Sequence, residues 1–288
     1  MSSGMATLLG TGAILLWATL ASLTALRGPI PPFQTTAIVF LIGSVLIALV
    51  AILRGRAKLL EPTWGSFALG VYGLFIYHAL YFAALTLAPP AEASLITSLW
   101  ALLTVLFSGF LPNHRLRAQH VIGALIGFAA AAILVHEKLG ADTPDAGARL
   151  GFVLAFACAF VWSSYSVASR LLAAVPSEAV AAPCLATALL AAACSWAFEQ
   201  WTAPAGLVSW AALVCLGLGP IGAAFVLWDI GMKQGSVPLL GVLSYAALIL
   251  STALLVALGL AQATWSLAFA CALMVLAAFI ATRTPNPT

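Results

Sequence analysis

The sequence predicts an all-α integral membrane protein with ten transmembrane helices arranged as two inverted five-helix repeats. Three observations carry this. Ten apolar runs, each about long enough to cross a bilayer's hydrocarbon core, fill the chain almost end to end. Hydrophobic residues make up 64% of the sequence and charged residues 7%, where a soluble domain carries roughly 25% charged. The most polar segment, His136–Arg149, falls near the midpoint, after the fifth run. An odd number of spans per half makes the second half enter the membrane from the opposite side.

The runs, in order, cover 5–26, 34–53, 64–87, 92–111, 117–135, 150–172, 178–199, 208–232, 237–259 and 264–282. The first is longer than a signal-peptide core and follows an uncharged Met1–Gly4, so it is expected to be a retained span. Three prolines between Arg27 and Pro32 separate it from the second. Arg54, Arg56 and Lys58 close the second run, and Pro89–Pro90 divides the third from the fourth. Pro112 to Arg117, with His114 and Arg115, divides the fourth from the fifth. Proline lacks a backbone donor and charge is costly in lipid, so both belong at span ends. The domains are then a first repeat over 1–136, a linker over 137–148 and a second repeat over 149–288.

Lysine and arginine set the orientation, because positively charged loops stay in the cytoplasm. With the N-terminus inside, Arg54, Arg56, Lys58, Arg115, Arg117, Arg170, Lys233 and Arg283 are cytoplasmic, and Arg27, Lys138 and Arg149 are outside. The expected localisation is the cell inner (plasma) membrane, multi-pass, with both termini cytoplasmic.

Several function classes drop out. The net charge of +3 comes without a basic block or basic–aromatic interleaving, so no nucleic-acid partner is expected. The five cysteines lie in apolar runs without CxxC spacing, which suggests neither metal nor disulfide framework. No HExxH, GxSG or intramembrane aspartate pair is present, so an enzyme is not expected. Gly217-Leu-Gly219-Pro220-Ile-Gly222 fits G-x-G-x-x-G but lies within a span with no strand before it, which excludes a dinucleotide site. Gly219–Pro220 is instead expected to kink the eighth helix, and Gly123-xxx-Gly127 to allow close packing of the fifth. No cofactor is expected.

The two halves share weak similarity. Leu15-Leu16-Trp17-Ala18 matches Phe160-Val161-Trp162-Ser163 at an offset of 145, and Tyr81 to Ala88 parallels Trp228 to Gly235 at an offset of 147. On these features the chain resembles the drug/metabolite transporter superfamily, and within it the EamA-type permeases. The likeness covers essentially the whole chain and rests on Trp17 and Trp162, on Tyr81-Phe82-Ala83-Ala84-Leu85 before Pro89-Pro90-Ala91, and on Trp228-Asp229-Ile230-Gly231-Met232 before Lys233-Gln234-Gly235. The resemblance implies ten spans as two inverted repeats, with a central cavity between spans one, three, four, six, eight and nine. One departure stands out. EamA repeats usually carry a Gly-Glu-Arg/Lys-Leu motif after the fourth span. Pro112-Asn113-His114-Arg115-Leu116 and Leu260-Ala261-Gln262-Ala263 occupy those places, without the glutamate.

Aromatic placement separates anchors from site candidates. Trp64, Trp196, Trp201, Trp210 and Trp265 lie at or beyond span ends, where amphipathic rings favour the headgroup region. Trp17, Trp100 and Trp162 lie near mid-span, where an indole N–H has no lipid partner and must face the bundle interior or a wet cavity. His78 is well inside a span with Tyr81 on the same face. Ser163 and Tyr245 complete the candidate substrate-binding set, with Tyr77, Tyr165, Ser164 and Ser244 weaker. Core packing, or serine bonding to its own helix, is the competing reading for each. Asp229 and Glu92 are expected to be interfacial, which leaves no mid-membrane carboxylate and argues for facilitated diffusion.

Scarce charge disfavours nucleotide sugars and permanent cations. A neutral or zwitterionic molecule with a flat apolar side chain suits the rings. The expected function is export of aromatic or other neutral amino acids and related metabolites by alternating access. The alternative is a broad-specificity, proton-coupled multidrug or metabolite permease. The partners are this small-molecule substrate and the lipid bilayer, with no obligatory protein partner apparent.

Overall fold

The computed structural model describes residues 1–88, 90–112, 116–136, 146–259 and 262–282. Among the described residues all regular structure is helical. Eight helical segments are long and apolar enough to cross a membrane: α1 (Ser3–Leu26), α2 (Pro32–Leu53), α3 (Trp64–Leu87), α6 (Ala146–Leu172), α7 (Ser177–Phe198), α8 (Gly206–Gln234), α9 (Val237–Ala257) and α10 (Trp265–Thr282). The runs at 92–111 and 117–135 are helical as well. These are α4, in two pieces (Pro90–Thr97 and Leu99–Ser108), and α5 (Ala118–His136). Residues 137–145 of the linker, together with Pro89, His114, Arg115 and Arg283, lie outside the described residues.

Local chemistry sets the ends. Ser2 caps α1 by accepting from the Met5 N–H, and Thr63 caps α3 by accepting from the Ser66 N–H. Pro32 opens α2, where its missing N–H leaves no bond unmade. Gly55, at φ +68°, ends the same segment in the left-handed region, which a side chain would strain.

The segments pair across the chain. α2 packs on α7, α5 on α10, and α4 on both α6 and α9; α1 packs on the second half of α8, and the second half of α3 on α6. The exposed rim is apolar, with Leu8, Leu15, Leu41, Leu49, Leu189 and Leu207 all turned outward, as lipid contact requires. Trp64, Trp196, Trp201 and Trp265 are highly exposed at segment ends, consistent with headgroup anchors.

Five segments are interrupted part-way. α1 breaks at Ala18–Thr19, directly after Trp17. α3 passes through a π-helical turn at Tyr72–Ile76, and α4 breaks at Ser98. The kink expected at Gly219–Pro220 takes the form of a π-helical turn over Gly217–Ala223 in α8, and α9 breaks at Ser244. A π-turn or a proline frees backbone carbonyls from the helix ladder, and each then needs another donor.

Small residues make the close crossings. A Cβ on Gly123 would lie 3.0 Å from the Ala277 carbonyl and one on Gly127 2.5 Å from the Tyr245 ring, so the Gly-xxx-Gly contact lies within the chain, against α10 and α9. Gly73 is tighter still: its Cβ would fall 2.1 Å from the Tyr165 ring. Gly73→Ala is expected to lower stability by about 1–3 kcal/mol through overpacking. Thermal unfolding in detergent should register this as a lower Tm; an unchanged Tm would mean that α3 does not rest on Tyr165.

Candidate functional site

The mid-segment interruptions surround a layer of rings. Trp17 lies in the turn before the α1 break, and its indole N–H donates to the Pro220 carbonyl at 2.9 Å. The indole thus ties α1 to a carbonyl in the π-turn of α8. Trp17 then touches Trp162 at 5.6 Å between centroids, Trp100 at 6.4 Å and Trp228 at 5.0 Å. Trp100 is edge-on to Trp162 at 6.1 Å, and Trp162 also meets Tyr77, Tyr165 and Phe225. Trp17 and Trp162 are nearly buried, while Tyr77, His78, Tyr81 and Trp100 keep part of their surface exposed. Each ring pair adds about 0.5–1.5 kcal/mol beyond area burial, which fixes the layer as a unit.

His78 stands beside this layer, 5.0 Å edge-on to Phe40 and 5.2 Å from Tyr77. Its Nδ1 is 2.6 Å from the Leu74 carbonyl. A carbonyl can only accept, so Nδ1 carries the hydrogen, and the neutral ring's Nε2 is left as an acceptor. Tyr81 stacks on Tyr77 one turn along α3, with centroids 6.0 Å apart and planes 4° apart.

Trp17, His78, Tyr81, Trp100 and Trp162 therefore come together at one level of the bundle, His78 and Tyr81 joining through Tyr77. Two other candidates do not join them. The Ser163 hydroxyl is fully buried and donates to the Ala159 and Phe160 carbonyls of its own helix. Tyr245 sits just past the α9 break against Phe128 and Gly127, in a second core cluster formed by α4, α5, α9 and α10.

Residues that the sequence did not single out as site members complete the layer. Trp228 is almost fully buried and its indole donates to Ser166 Oγ at 3.1 Å. Phe40 and Phe225 pack together at 5.5 Å behind His78 and Trp17. Trp228 could have been found, because the sequence parallel at an offset of 147 aligns it with Tyr81. Phe40 had no such signal, being one apolar residue among many in its run.

The ends of the bundle differ. At the end far from Ser3, the Glu199 carboxylate accepts from the Phe33 and Gln34 N–H groups at the start of α2, and Gln34 exchanges two bonds with the Thr202 backbone. Arg27, next to it, donates to the Ile30 carbonyl, and partial burial lowers its pKa while Glu199 opposes the shift. At the Ser3 end, Arg170 donates to the Met232 and Gly235 carbonyls, capping α8. Tyr72 bonds Ser164 there at 2.9 Å. Asp229, expected at an aqueous interface, is instead buried inside the bundle with Lys233 Nζ 2.7 Å away. The i,i+4 spacing turns it inward beside the cation.

The chain matches the EamA-like transporter family over residues 4–136. It is similar to the aromatic amino acid exporter YddG of Ancylobacter novellus, with 51% identity over 98% of each chain. It shares 26% identity with the aromatic amino acid exporter YddG of Salmonella typhimurium over 88% of each. A solved crystal structure is similar to it with a TM-score of 0.94 at 51% identity, covering 98% of this chain and 97% of the other.

Trp17→Phe keeps the ring but leaves the Pro220 carbonyl without its donor. A loss of about 1–2 kcal/mol is expected, measured as a lower thermal midpoint in detergent. Stability equal to the parent's would show that the carbonyl finds another partner.

Proposed function

The chain belongs to the EamA-like transporter family, and from that premise we propose that it exports aromatic and related neutral amino acids across the inner membrane by alternating access. The observation that carries this reading is the layer of rings formed where the interrupted segments meet. A stack of indoles and phenols with few charges favours a flat apolar side chain.

Two inverted five-helix repeats, 1–136 and 149–288, build the proposed machine, joined by 137–148. Several features support this division. The π-helical turns begin at Tyr72 and Gly217, 145 positions apart, and the breaks at Ser98 and Ser244 are 146 apart. The pairings are also related by exchange of the halves: α1 with α8 mirrors α6 with α3, while α2–α7, α4–α9 and α5–α10 each map onto themselves. The repeat-related Trp17 and Trp162 touch, as residues beside a pseudo-two-fold axis should. Both termini are cytoplasmic in this reading, on the lysine and arginine distribution.

In the proposed site Trp17, Trp100 and Trp162 form apolar walls. His78 Nε2 accepts from the substrate ammonium, and the Tyr81 hydroxyl donates to its carboxylate. Ser163 holds the backbone beside Trp162, and Tyr245 packs at the α9 break. Transport is facilitated diffusion down the substrate's gradient. The interrupted helices supply the joints about which one half moves against the other.

Protein reconstituted in liposomes is expected to take up labelled tryptophan saturably, with and without a pH gradient. Trp162→Ala or His78→Ala should each cut the flux about tenfold or more while inserting normally. Unchanged flux in both variants removes the site, and broad uptake of organic cations without preference for aromatic amino acids removes the substrate class.

A further inference from the structure

Asp229 and Lys233 are the only charged side chains buried within the bundle among the described residues. Burying an ion pair costs several kcal/mol of desolvation per ion, so such a pair is weak evidence of a purely stabilising role. Lys233 Nζ lies 2.7 Å from Asp229 Oδ2 and donates to the Val175 carbonyl at 2.8 Å. The ammonium is thus held by the carboxylate's charge and by one carbonyl. The pair faces a cavity of about 30 Å³ at the Ser3 end of the bundle, bordered also by Ser66, Gly70, Tyr165 and Ser169. That volume admits water and is too small for an amino acid, so the pocket holds no substrate in this conformation.

One side chain separates the chamber from the ring layer. Tyr165 borders the cavity and also packs on Trp162 at 5.5 Å. It rests on Gly73 in the π-turn of α3, and Gly70 of the same segment rests on Pro183. A shift of α3 along these two glycines would move the wall between chamber and rings.

We infer that Asp229 and Lys233 form a capture subsite for the zwitterionic head group of the substrate, at the Ser3 end of the pathway, with Tyr165 as the partition in front of the ring layer. This rests on the transport function proposed above. An α-amino acid carries its ammonium and carboxylate on one carbon, so it can meet the pair head to tail, ammonium on Asp229 and carboxylate on Lys233. The exchange buries no net charge. A lone amine or a lone acid would leave one member of the pair unpaired in a low-dielectric chamber, and that penalty selects zwitterions. The repeat counterparts of Asp229 and Lys233 are Phe82 and Thr86, both uncharged. The capture device therefore sits at one end of the pathway only.

Inside-out membrane vesicles from cells expressing the full chain present this end to the bath. Inhibition of labelled tryptophan uptake is measured with unlabelled tryptophan, tryptamine and indole-3-propionate. For the parent protein, each singly charged analogue is expected to need at least about tenfold more than tryptophan to halve uptake. Asp229→Leu with Lys233→Met should bring the three to within about twofold. Asp229→Asn, which keeps an oxygen for Lys233, should lower the requirement for indole-3-propionate about tenfold relative to tryptophan and leave the tryptamine ratio high. If the double variant fails to insert, the Asp229→Asn ratios decide alone. Ratios equal to the parent's in the variants overturn the subsite. A fall in tryptophan uptake that leaves the three inhibitory concentrations in their parental proportion also overturns it, because that marks a structural pair. Absence of tryptophan transport in the parent overturns the underlying function instead, and is read in the same experiment before any variant.

Discussion

In a bilayer core every backbone N–H and C=O needs a partner supplied by the protein itself. A continuous helix meets that demand locally. An interrupted helix does not, and among the described residues five segments are interrupted part-way. The bond from the Trp17 indole to the Pro220 carbonyl brings a side-chain donor to one of those interruptions. It couples α1 to α8 at the level where both deviate, and sets Trp17 against Trp162, Trp100 and Trp228. The aromatic layer thus follows from the same constraint that governs the backbone. At such interruptions a side-chain donor can replace a bond that the helix ladder does not make.

The side-chain hydroxyls obey the same rule on a smaller scale. Thr19 and Ser244 donate to carbonyls three or four residues back, at the breaks in α1 and α9. Ser163 does so within α6. Such bonds leave few free polar groups near the rings, so the layer is apolar apart from the His78 and tyrosine edges. His78 fits this pattern, with one ring nitrogen satisfied by Leu74 and the other left as an acceptor. A substrate with a large apolar ring and a compact polar head complements that division.

Much of the architecture was legible in the sequence because the bilayer imposes a length and a polarity on each segment. The apolar runs at 34–53 and 264–282 reappear almost unchanged as α2 and α10. The run at 117–135 reappears, at the same length, as α5, whereas that at 92–111 is split at Ser98, because hydropathy does not report where a helix bends. Mid-span Trp17, Trp100 and Trp162 were recognisable because an indole at that depth needs a partner. The identity of the partners was not recognisable: Pro220 lies 203 residues from Trp17, and Ser166 lies 62 from Trp228. The burial of Asp229 was hidden for a related reason. Its distance from the end of a run reports depth, whereas the packing of α8 turns it toward Lys233 and a small pocket.

Composition and charge distribution thus determined, without coordinates, that the chain is a polytopic membrane protein with rings at mid-depth, since hydrophobic length and the cost of buried charge are properties of local sequence. Which rings touch, which carbonyls they satisfy, and which charges are removed from solvent were decided only by tertiary structure. Those outcomes depend on the rotation and crossing of helices far apart in the chain. No local pattern encodes them, because a helix's neighbours, and not its own period, decide which of its faces is hidden.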